Sequence, residues 1–433
     1  MSLSPLSLHG TCEKRRGAGG RAWGRRTRPF GARIHARPSL NEAFAPAIPG
    51  SAKASIAACG VPTPVRPPCL AAPPACPPRA HLVLVALAFV LAAVAPVRAA
   101  APVPATAVAA DTMIRAGEKH FERLWQLTFG GQNAEGYWSA DGSKLIFQST
   151  RDGWPCDQMY VMDMASGSLT RVSTGRGRTT CGYFYDGDRR VFFASTHLAA
   201  DSCPPLPDYS QGYVWPLEPG YEIFTARLDG SDLRRLTDHP GYDAEGTLST
   251  DGTWIVYTSL EAGDLDLYKM KTDGSARTRL TTEPGYDGGA FFSRDGKWIC
   301  WRRGTLRDSA EVAGYRALIA RNLVRPTRMD LWVMRADGSD KRQVTNDPGA
   351  SFAPYFTPDG TSLIYASNRE SPTGRNFDLY RVSVKGGTPE PVTRDPSFDG
   401  FPMFSPDGHW LVFASNRGGK VRGETNLFLA RWR

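Results

Sequence analysis

The sequence lacks the common signatures of hydrolytic catalysis. No Gly-x-Ser-x-Gly nucleophile motif and no His-Glu-x-x-His metal helix occurs in its 433 residues. None of its eight cysteines forms a Cys-x-x-Cys pair, which disfavours zinc-ribbon and thioredoxin-like sites. We therefore expect no catalytic residue of these types, and whether the chain is an enzyme of another kind stays open.

An excess of positive charge is absent from most of the chain. Residues 1–100 contain 13 Lys/Arg and 2 Asp/Glu, whereas the remainder contains 39 basic and 41 acidic side chains. The formal net charge of +9 therefore comes from the N-terminal region. We do not expect a nucleic-acid partner, because such a partner requires a basic surface on the folded part.

The sequence also lacks an apolar run of the roughly 20 residues that span a bilayer. The run 82–95 has about 14 apolar residues, with Arg79 before it and Val97-Arg98-Ala99 after it. This layout predicts a Sec-type signal peptide at 81–100, cleaved near Ala99, and a periplasmic or secreted protein. A membrane anchor is the alternative. After signal removal we expect no stable membrane span.

The flanking segments have no apolar periodicity. Residues 1–80 are rich in Arg, Pro, Ala and Gly, which predicts a disordered basic leader. A start codon assigned too far upstream would explain why the signal lies so far along the chain. Residues 101–120 are interpreted as a linker to the domain that follows.

The cysteines divide evenly between the leader and the mature part. Within the mature part, Cys181 and Cys203 lie in one irregular segment and could form a disulfide in an oxidising compartment. Free, part-buried thiols are the alternative. Cys156 and Cys300 complete the mature set, and Cys12, Cys59, Cys69 and Cys76 belong to the leader.

One pattern is repeated six times. Each copy has two short runs of aromatic and β-branched residues joined by a tight turn that usually contains Asp-Gly, such as FPMFSPDGHWLVFASNR at 401–417. A third run and, in most copies, a shorter fourth run follow. The copies start near Glu135, Gly182, Gly246, Ala290, Ala353 and Phe401.

Six units of four antiparallel strands predict an all-β fold, a six-bladed β-propeller over 121–433. The last unit ends at Arg433 without a fourth run, and Leu124-Trp125-Gln126-Leu127-Thr128 supplies an isolated fourth run before the first unit. We therefore expect the N-terminal strand to complete the last blade and remove two free sheet edges.

These motifs resemble a known family. Leu236-Thr237, Asp266-Leu267-Tyr268, Ser405-Pro406-Asp407-Gly408 and Ser415-Asn416-Arg417 are similar to the repeats of TolB-like, WD40-like propellers of the bacterial cell envelope. The resemblance covers about residues 125–433. It implies a non-catalytic scaffold or transport-associated protein that binds protein partners, and we expect a monomer. Only 111–123 separate the predicted signal from the first strand, so the small α/β domain of TolB is not expected.

Residues that recur in most copies are interpreted as structural, because a ligand needs one site whereas every blade needs its corner fixed. The arginine after the second strand recurs as Arg151, Arg369 and Arg417. We expect it to pair with the polar residue that begins the third strand. Those residues are Gln158, Glu222, Asp266, Asp330, Asp378 and Asn426.

Two units depart from the pattern by insertions between the second and third strands, 198–219 and 305–328. The first is rich in Pro and aromatic residues and predicts a rigid loop. In the second, Tyr315, Leu318 and Ile319 begin an i, i+3, i+4 series that predicts a helix ended by Pro326. Both insertions should share one face of the ring with the loops that enter the first strands.

The entry loops carry acidic residues that we expect to converge on the central opening. This mouth could bind a small molecule, a basic peptide or a divalent cation such as Ca²⁺, with Asp243, Glu245 and Asp287 as metal ligands. The alternative is that each carboxylate caps a loop. The candidate ligand-binding residues are Glu135, Asp243, Glu245, Asp287, Asp399, His197, His239, Tyr242 and Tyr286.

His197 and His239 could ligate a metal or act as a base, although loop histidines without such a role are common. Three functions thus remain in competition. The first is the envelope scaffold. The second is a propeller enzyme, a metal-dependent lyase or hydrolase, and the third is a glycan or small-molecule sensor with Tyr213, Trp215 and Tyr242 as stacking surfaces.

Overall fold

The computed structural model describes residues 103–210, 212–371 and 374–433. The expected leader, the signal peptide with its cleavage site and the four leader cysteines lie outside the described residues. The described part is a six-bladed β-propeller of four-stranded antiparallel sheets, which confirms the predicted fold. No helix in these ranges is long and apolar enough to cross a membrane.

Each blade runs from the propeller axis outwards through four strands, the last of them short. The strands of blade 1 are Asn133–Trp138, Lys144–Ser149, Gln158–Asp163 and Leu169–Arg171. Those of blade 2 are Thr179–Tyr185, Arg190–Ser195, Glu222–Arg227 and Arg234–Arg235. Those of blade 3 are Asp243–Leu248, Trp254–Ser259, Asp266–Lys271 and Thr278–Arg279. The strands of blade 4 are Asp287–Phe292, Trp298–Gly304, Met329–Arg335 and Arg342–Gln343. Those of blade 5 are Ser351–Phe356, Ser362–Ser367, Asp378–Ser383 and Glu390–Pro391.

Blade 6 closes the ring as the sequence predicts. Its first three strands are Asp399–Phe404, Trp410–Ser415 and Asn426–Trp432, and the N-terminal strand Phe121–Gln126 pairs antiparallel with the third. A fifth strand, Val108–Ala109, pairs with the N-terminal strand and was not predicted.

The segment interpreted as a linker is packed against the propeller in its described part. It contains the 3₁₀ turn Asp111–Met113 and the buried carboxylate of Glu118, which accepts hydrogen bonds from Arg417 at 3.2 and 3.3 Å. Arg417 also donates to Asp399 at 2.7 Å. The described part of the segment 101–120, interpreted from the sequence as a linker, is thus held against blade 6 by the buried ion pairs of Glu118, Arg417 and Asp399.

The repeated turn is fixed by its own side chains. In blade 6 the Ser405 hydroxyl donates to Asp407 at 2.5 Å and accepts from the backbone N–H of Trp410 at 3.0 Å. Gly408 has a φ of 74°, which a residue with a Cβ adopts only at a cost. The Asp-Gly motif is thus local turn chemistry, repeated in blades 1, 3, 4 and 5 with Ser or Thr at the same place.

The predicted corner pairing has different partners. In five of the six blades, the polar residue that begins the third strand accepts a hydrogen bond from a Ser or Thr after the fourth strand, as Glu222 does from Thr237 at 2.7 Å. The same hydroxyl of Thr237 accepts from the N–H of Ile223 at 2.9 Å. The arginine after the second strand instead contacts a side chain in the first strand of its blade or in the segment just before that strand. Arg417, for example, pairs with Asp399 at the start of the first strand.

All six first strands contain a β-bulge. The register shifts after the second residue of the strand, and the third residue has a positive φ. These residues, called the inner-ring residues below, have φ values from 49° to 62° and are Glu135, Cys181, Glu245, Gly289, Ala353 and Phe401. A bulge turns the following side chains relative to simple alternation and so decides which of them face the axis.

The two insertions pair with each other. The second contains a helix, Ser309–Ile319, capped by Asp308, and then a short strand, Leu323–Val324, that pairs with Trp215–Pro216 of the first insertion. The predicted helix is present, but it ends at Ile319 and not at Pro326. The apolar series beyond Ile319 is used in the strand, because Asn322 takes a φ of 55° and turns the chain.

The disulfide differs from the expected one. Cys203 in the first insertion bonds Cys156 of blade 1, not Cys181. Cys181 is an inner-ring residue and a buried free thiol, as is Cys300 on the second strand of blade 4. The expectation placed Cys181 and Cys203 together because they share a repeat, whereas the insertion loop extends to the neighbouring blade.

Candidate functional site

The inner-ring residues surround a small cavity on the propeller axis, called the axial cavity below. Its volume is about 50 Å³, and Tyr137, Trp215, Arg302 and Phe352 complete much of its wall. A water molecule needs roughly 10–15 Å³ of such space, so the cavity has room for a few waters only. A substrate of ordinary size cannot enter without movement of the wall.

An ion pair dominates this cavity. The Arg302 guanidinium donates to Glu245 at 2.7 Å and also bonds the Tyr286 hydroxyl, and both charged side chains are about 5% exposed. Glu245 accepts further hydrogen bonds from Tyr286 at 2.5 Å and from the N–H of Gly289 at 2.7 Å. Burial alone would raise the pKa of Glu245, but Arg302 and Tyr286 outweigh it and lower that pKa. The carboxylate is therefore charged, neutralised and poorly suited to act as a base.

Glycine makes the room for this pair. A Cβ on Gly289 would lie 2.0 Å from the Arg302 guanidinium, and one on Gly288 would lie 2.4 Å from the Glu245 carboxylate. Gly289 also holds a φ of 58° in the bulge. The first strand of blade 4 thus has no side chains at these two positions near the axis. The second strand of the same blade supplies the positive charge of Arg302 in the space that is left.

The insertion face of the axial cavity is covered by the first insertion. The Trp215 ring stands edge-on to Tyr286 and Phe352, with ring centroids 6.1 and 6.4 Å apart, and Arg302 lies 5.5 Å from the Trp215 ring centre. Burial of a cation between aromatic faces stabilises both partners. The mouth that the sequence nominated as the binding site is therefore occupied by the chain's own side chains.

The other side of the axial cavity is closed by aromatic residues of the first strands. Tyr137, Tyr183, Phe291 and Tyr355 contact one another with centroid distances of 5.3 to 6.5 Å. Beyond them, on the face formed by the Asp-Gly turns, lies an open funnel of about 500 Å³. Its wall includes Tyr185, Asp186, Asp188, Asp251, Arg294 and Phe356.

Comparison with known proteins agrees with this architecture. Residues 325–422 match the family model described as the TolB beta propeller domain. A TolB homolog of Chlorobium luteolum is 26% identical over 232 residues, which cover 53% of this chain and 41% of that protein. The propeller is TolB-like.

Two further proteins resemble this TolB-like propeller. An uncharacterised protein of Agrobacterium fabrum is 26% identical over 129 residues, 30% of this chain and 36% of its own length. The structure of a putative TolB from Agrobacterium tumefaciens gives a TM-score of 0.46 at 19% identity, over 70% of this chain and 91% of that one. The chain spans less than half the length of the curated relatives it matches.

Three predicted site residues lie away from the axis of the TolB-like propeller. Asp243, Asp287 and Asp399 begin first strands and are buried at blade corners, outside the lining of the axial cavity. Burial raises the pKa of Asp287 to about 7, although Arg303 and a 2.6 Å hydrogen bond from Trp301 oppose the shift. Burial likewise raises the pKa values of Asp243 and Asp399 to about 6. The three aspartates were expected to converge on the central opening, and they are not among the residues that line the axial cavity.

The structure does bring four predicted residues together. Glu135 and Glu245 both line the axial cavity, and the hydroxyls of Tyr242 and Tyr286 donate to Glu245. Of the trio Asp243, Glu245 and Asp287, Glu245 is paired with Arg302, and the two aspartates lie outside the lining of the axial cavity. Throughout the described ranges, no group of three or more His, Cys, Asp or Glu side chains is arranged to hold a metal ion.

The predicted histidines occupy separate structural positions. His197 is buried against Phe224, with ring centroids 4.3 Å apart, and its Nδ1 lies 2.9 Å from the Ser195 hydroxyl. Burial first, and the nearby Arg176 second, lower the pKa of His197. His239 is half-buried, and no hydrogen bond joins it to His197 in the described structure.

Sequence reasoning missed Arg302. Its equivalents at the same register position are Gln148, Ala194, Thr258, Ala366 and Ala414. The signal in the sequence was that only blade 4 has an arginine at this position, whereas the other five blades have small or neutral residues there. The role of Phe352 was also missed, since an aromatic residue at the start of a strand reads as ordinary core.

Proposed function

We propose that this protein is an exported, non-catalytic propeller that binds a protein partner in the bacterial cell envelope through the funnel on its turn face. The likeness to the TolB beta propeller domain and to a TolB homolog supports a periplasmic scaffold role. The partner, the absence of catalysis and the periplasmic location are parts of this proposal.

One observation carries the proposal: the axis is closed on the insertion face and open on the turn face. The axial cavity has about 50 Å³ and a neutralised ion pair, whereas the funnel has about 500 Å³. A concave, partly aromatic opening of that size fits side chains of a partner polypeptide. Aromatic residues with a few charged groups are also the composition found at the centres of protein interfaces.

The charges of the funnel indicate the chemistry of the partner. Asp186, Asp188 and Asp251 face one cation, Arg294, among the charged lining residues. Hydrogen bonds from Ser249 and Thr253 lower the pKa of Asp251, so this carboxylate is charged at neutral pH. A partner segment with Lys or Arg beside an apolar side chain would complement this surface.

The Cys156–Cys203 disulfide supports the exported part of the proposal, because structural disulfides persist in oxidising compartments. Cell fractionation followed by N-terminal sequencing of the mature protein tests it directly. We expect the mature chain to begin just after Ala99 and to be found in the periplasm or the medium. Recovery of an uncleaved chain from the cytoplasm would contradict export.

Site-specific photo-crosslinking tests the binding face. A photoreactive amino acid replaces the exposed Arg294 in the funnel or, as the matched control, the exposed Lys385 on the outer rim of blade 5. We expect a discrete adduct with one envelope protein from position 294 and none from position 385. The charge reversals Arg294→Glu and Lys385→Glu should change the partner's affinity only at the first position. Identical labelling at both positions, or no adduct at either, would refute the proposed face.

A further inference from the structure

A second cavity lies beside the insertion helix and is separate from both the axial cavity and the funnel. Its volume is about 360 Å³, and it lies between the helix Ser309–Ile319, the strand Leu323–Val324 and blade 4. This volume is within the range of small-molecule sites. Much of its wall is apolar, formed by Tyr286, Leu306, Tyr315, Leu318, Val324 and Met329. We call it the insertion cavity.

The helix beside this cavity is firmly placed. Asp308 accepts a hydrogen bond from the N–H of Glu311 at 2.8 Å and caps the first turn. The Tyr315 hydroxyl donates to Asp264 at 2.5 Å, and its ring is buried in a cluster with Leu265 and Val324. The cavity wall is therefore built on fixed elements, which is a condition for a specific site.

Gly314 lies in the middle of this helix and lines the cavity. Glycine at a helix interior costs about 1 kcal/mol relative to alanine. A Cβ built at Gly314 meets no atom within 4 Å, so the packing of the protein does not require glycine there. The missing side chain instead leaves the cavity wider and lets a ligand approach the helix backbone.

The polar part of the wall favours an anion. The charged lining residues are Arg325, Arg328 and Glu311. Glu311 is contacted by Arg307 at 3.0 Å and by Arg328 at 3.5 Å, so two guanidiniums share one carboxylate. This second contact is made by Nη1 of Arg328, which is buried and forms an ion pair with Glu311 but no hydrogen bond. A guanidinium whose hydrogen-bonding capacity is not filled by its ion pair, beside an apolar wall, favours a carboxylate ligand.

We propose that the insertion cavity binds a small monocarboxylate with an apolar body, held by Arg328 and lying against Gly314. The apolar body takes the place of solvent against Leu318, Val324 and Met329. The carboxylate of the ligand accepts hydrogen bonds from the Arg328 guanidinium, whose donors Glu311 satisfies only in part. This site is independent of the partner-binding funnel, which lies on the opposite face of the ring.

Isothermal titration of the mature chain tests the proposal with paired probes: phenylacetate, indole-3-acetate and octanoate, each beside its neutral amide. We expect at least one acid to bind with a Kd below about 1 mM and its amide to bind at least about tenfold more weakly. Gly314→Leu should abolish binding by filling the cavity. Ala313→Leu, an exposed neighbour on the same helix, should leave binding unchanged.

Arg328→Gln keeps the cavity shape and removes the charge, so it should bind the acid and the amide alike. Absence of binding by all three acids up to about 10 mM would overturn the proposal. So would equal affinities of acid and amide in the unmodified protein, or unchanged binding in a folded Gly314→Leu variant. Because Arg328→Gln tests the carboxylate separately, a Gly314→Leu variant that fails to fold leaves the proposal falsifiable.

Discussion

The disulfide gives the sharpest test of the tertiary structure, because sequence and structure assign Cys203 different partners. Reduction of the Cys156–Cys203 bond releases a loop with a sequence separation of 47. In the chain-entropy treatment, such a loop contributes about 4 kcal/mol to the free energy of unfolding at 25 °C. This contribution to the free energy of unfolding is an upper value, because it counts only the entropy that the disulfide removes from the unfolded state.

The expected shift in melting temperature follows from the size of the propeller. For roughly 330 ordered residues, the entropy of unfolding is about 0.7 kcal/mol/K. Loss of about 4 kcal/mol therefore lowers Tm by about 6 °C. The measurement is differential scanning fluorimetry of protein made in an oxidising compartment, with and without a phosphine reductant.

Single variants identify the bonded pair. Cys156→Ser should melt at the temperature of the reduced protein, and the reductant should have no further effect on it. Cys181→Ser is the matched control and should keep the full response to reductant. If Cys181→Ser instead abolishes that response, or if peptide mapping finds Cys181 linked to Cys203, the placement of the first insertion against blade 1 is refuted.

Three further predictions concern the propeller itself. Arg417→Met leaves Glu118 and Asp399 buried without their cation and should lower the free energy of unfolding by about 3–5 kcal/mol in chemical denaturation; a loss below about 1 kcal/mol would contradict the buried network. Because the pKa of Asp287 is about 7 when folded and near 4 when unfolded, its contribution to stability is present below about pH 4 and lost as pH rises through 7. Asp287→Asn should therefore gain Tm relative to the unmodified protein between about pH 5 and pH 8, and a constant difference would refute the raised pKa. Deletion of 103–126 removes the strand that closes blade 6 and should give aggregation in size-exclusion chromatography, whereas a monomer with unchanged Tm would refute ring closure.

Several features could be read from the sequence because their causes are local. The Asp-Gly turns are recognisable in the sequence because they need a glycine that can take a positive φ. They also have a serine two residues before the aspartate, whose hydroxyl bonds the aspartate. The six copies then fix the number of blades, and the isolated N-terminal strand fixes how the ring closes. The insertion helix was also predictable from its apolar spacing, although its end was not, because a turn at Asn322 precedes Pro326.

The candidate site was predictable only in part. Glu135 and Glu245 were nominated and do line the axial cavity, but Asp243, Asp287 and Asp399 were grouped with them. In a regular strand, residues two apart share one face, so the grouping was a reasonable expectation. The neutralising Arg302 comes from the neighbouring strand of another blade, and no local pattern connects it to Glu245.

The sequence by itself therefore determined the repeat and the turns, since these depend on residues close together in the chain. It also determined the number of blades and the closure of the ring, since both follow from counting the repeated runs and the isolated N-terminal run. Tertiary structure decided what faces the axis, because a bulge in every first strand separates the inner-ring residues from the corner carboxylates. It also decided what covers the axis. Trp215 and Val324 are paired across more than a hundred residues, and that contact exists only once the blades have placed both insertions on one face.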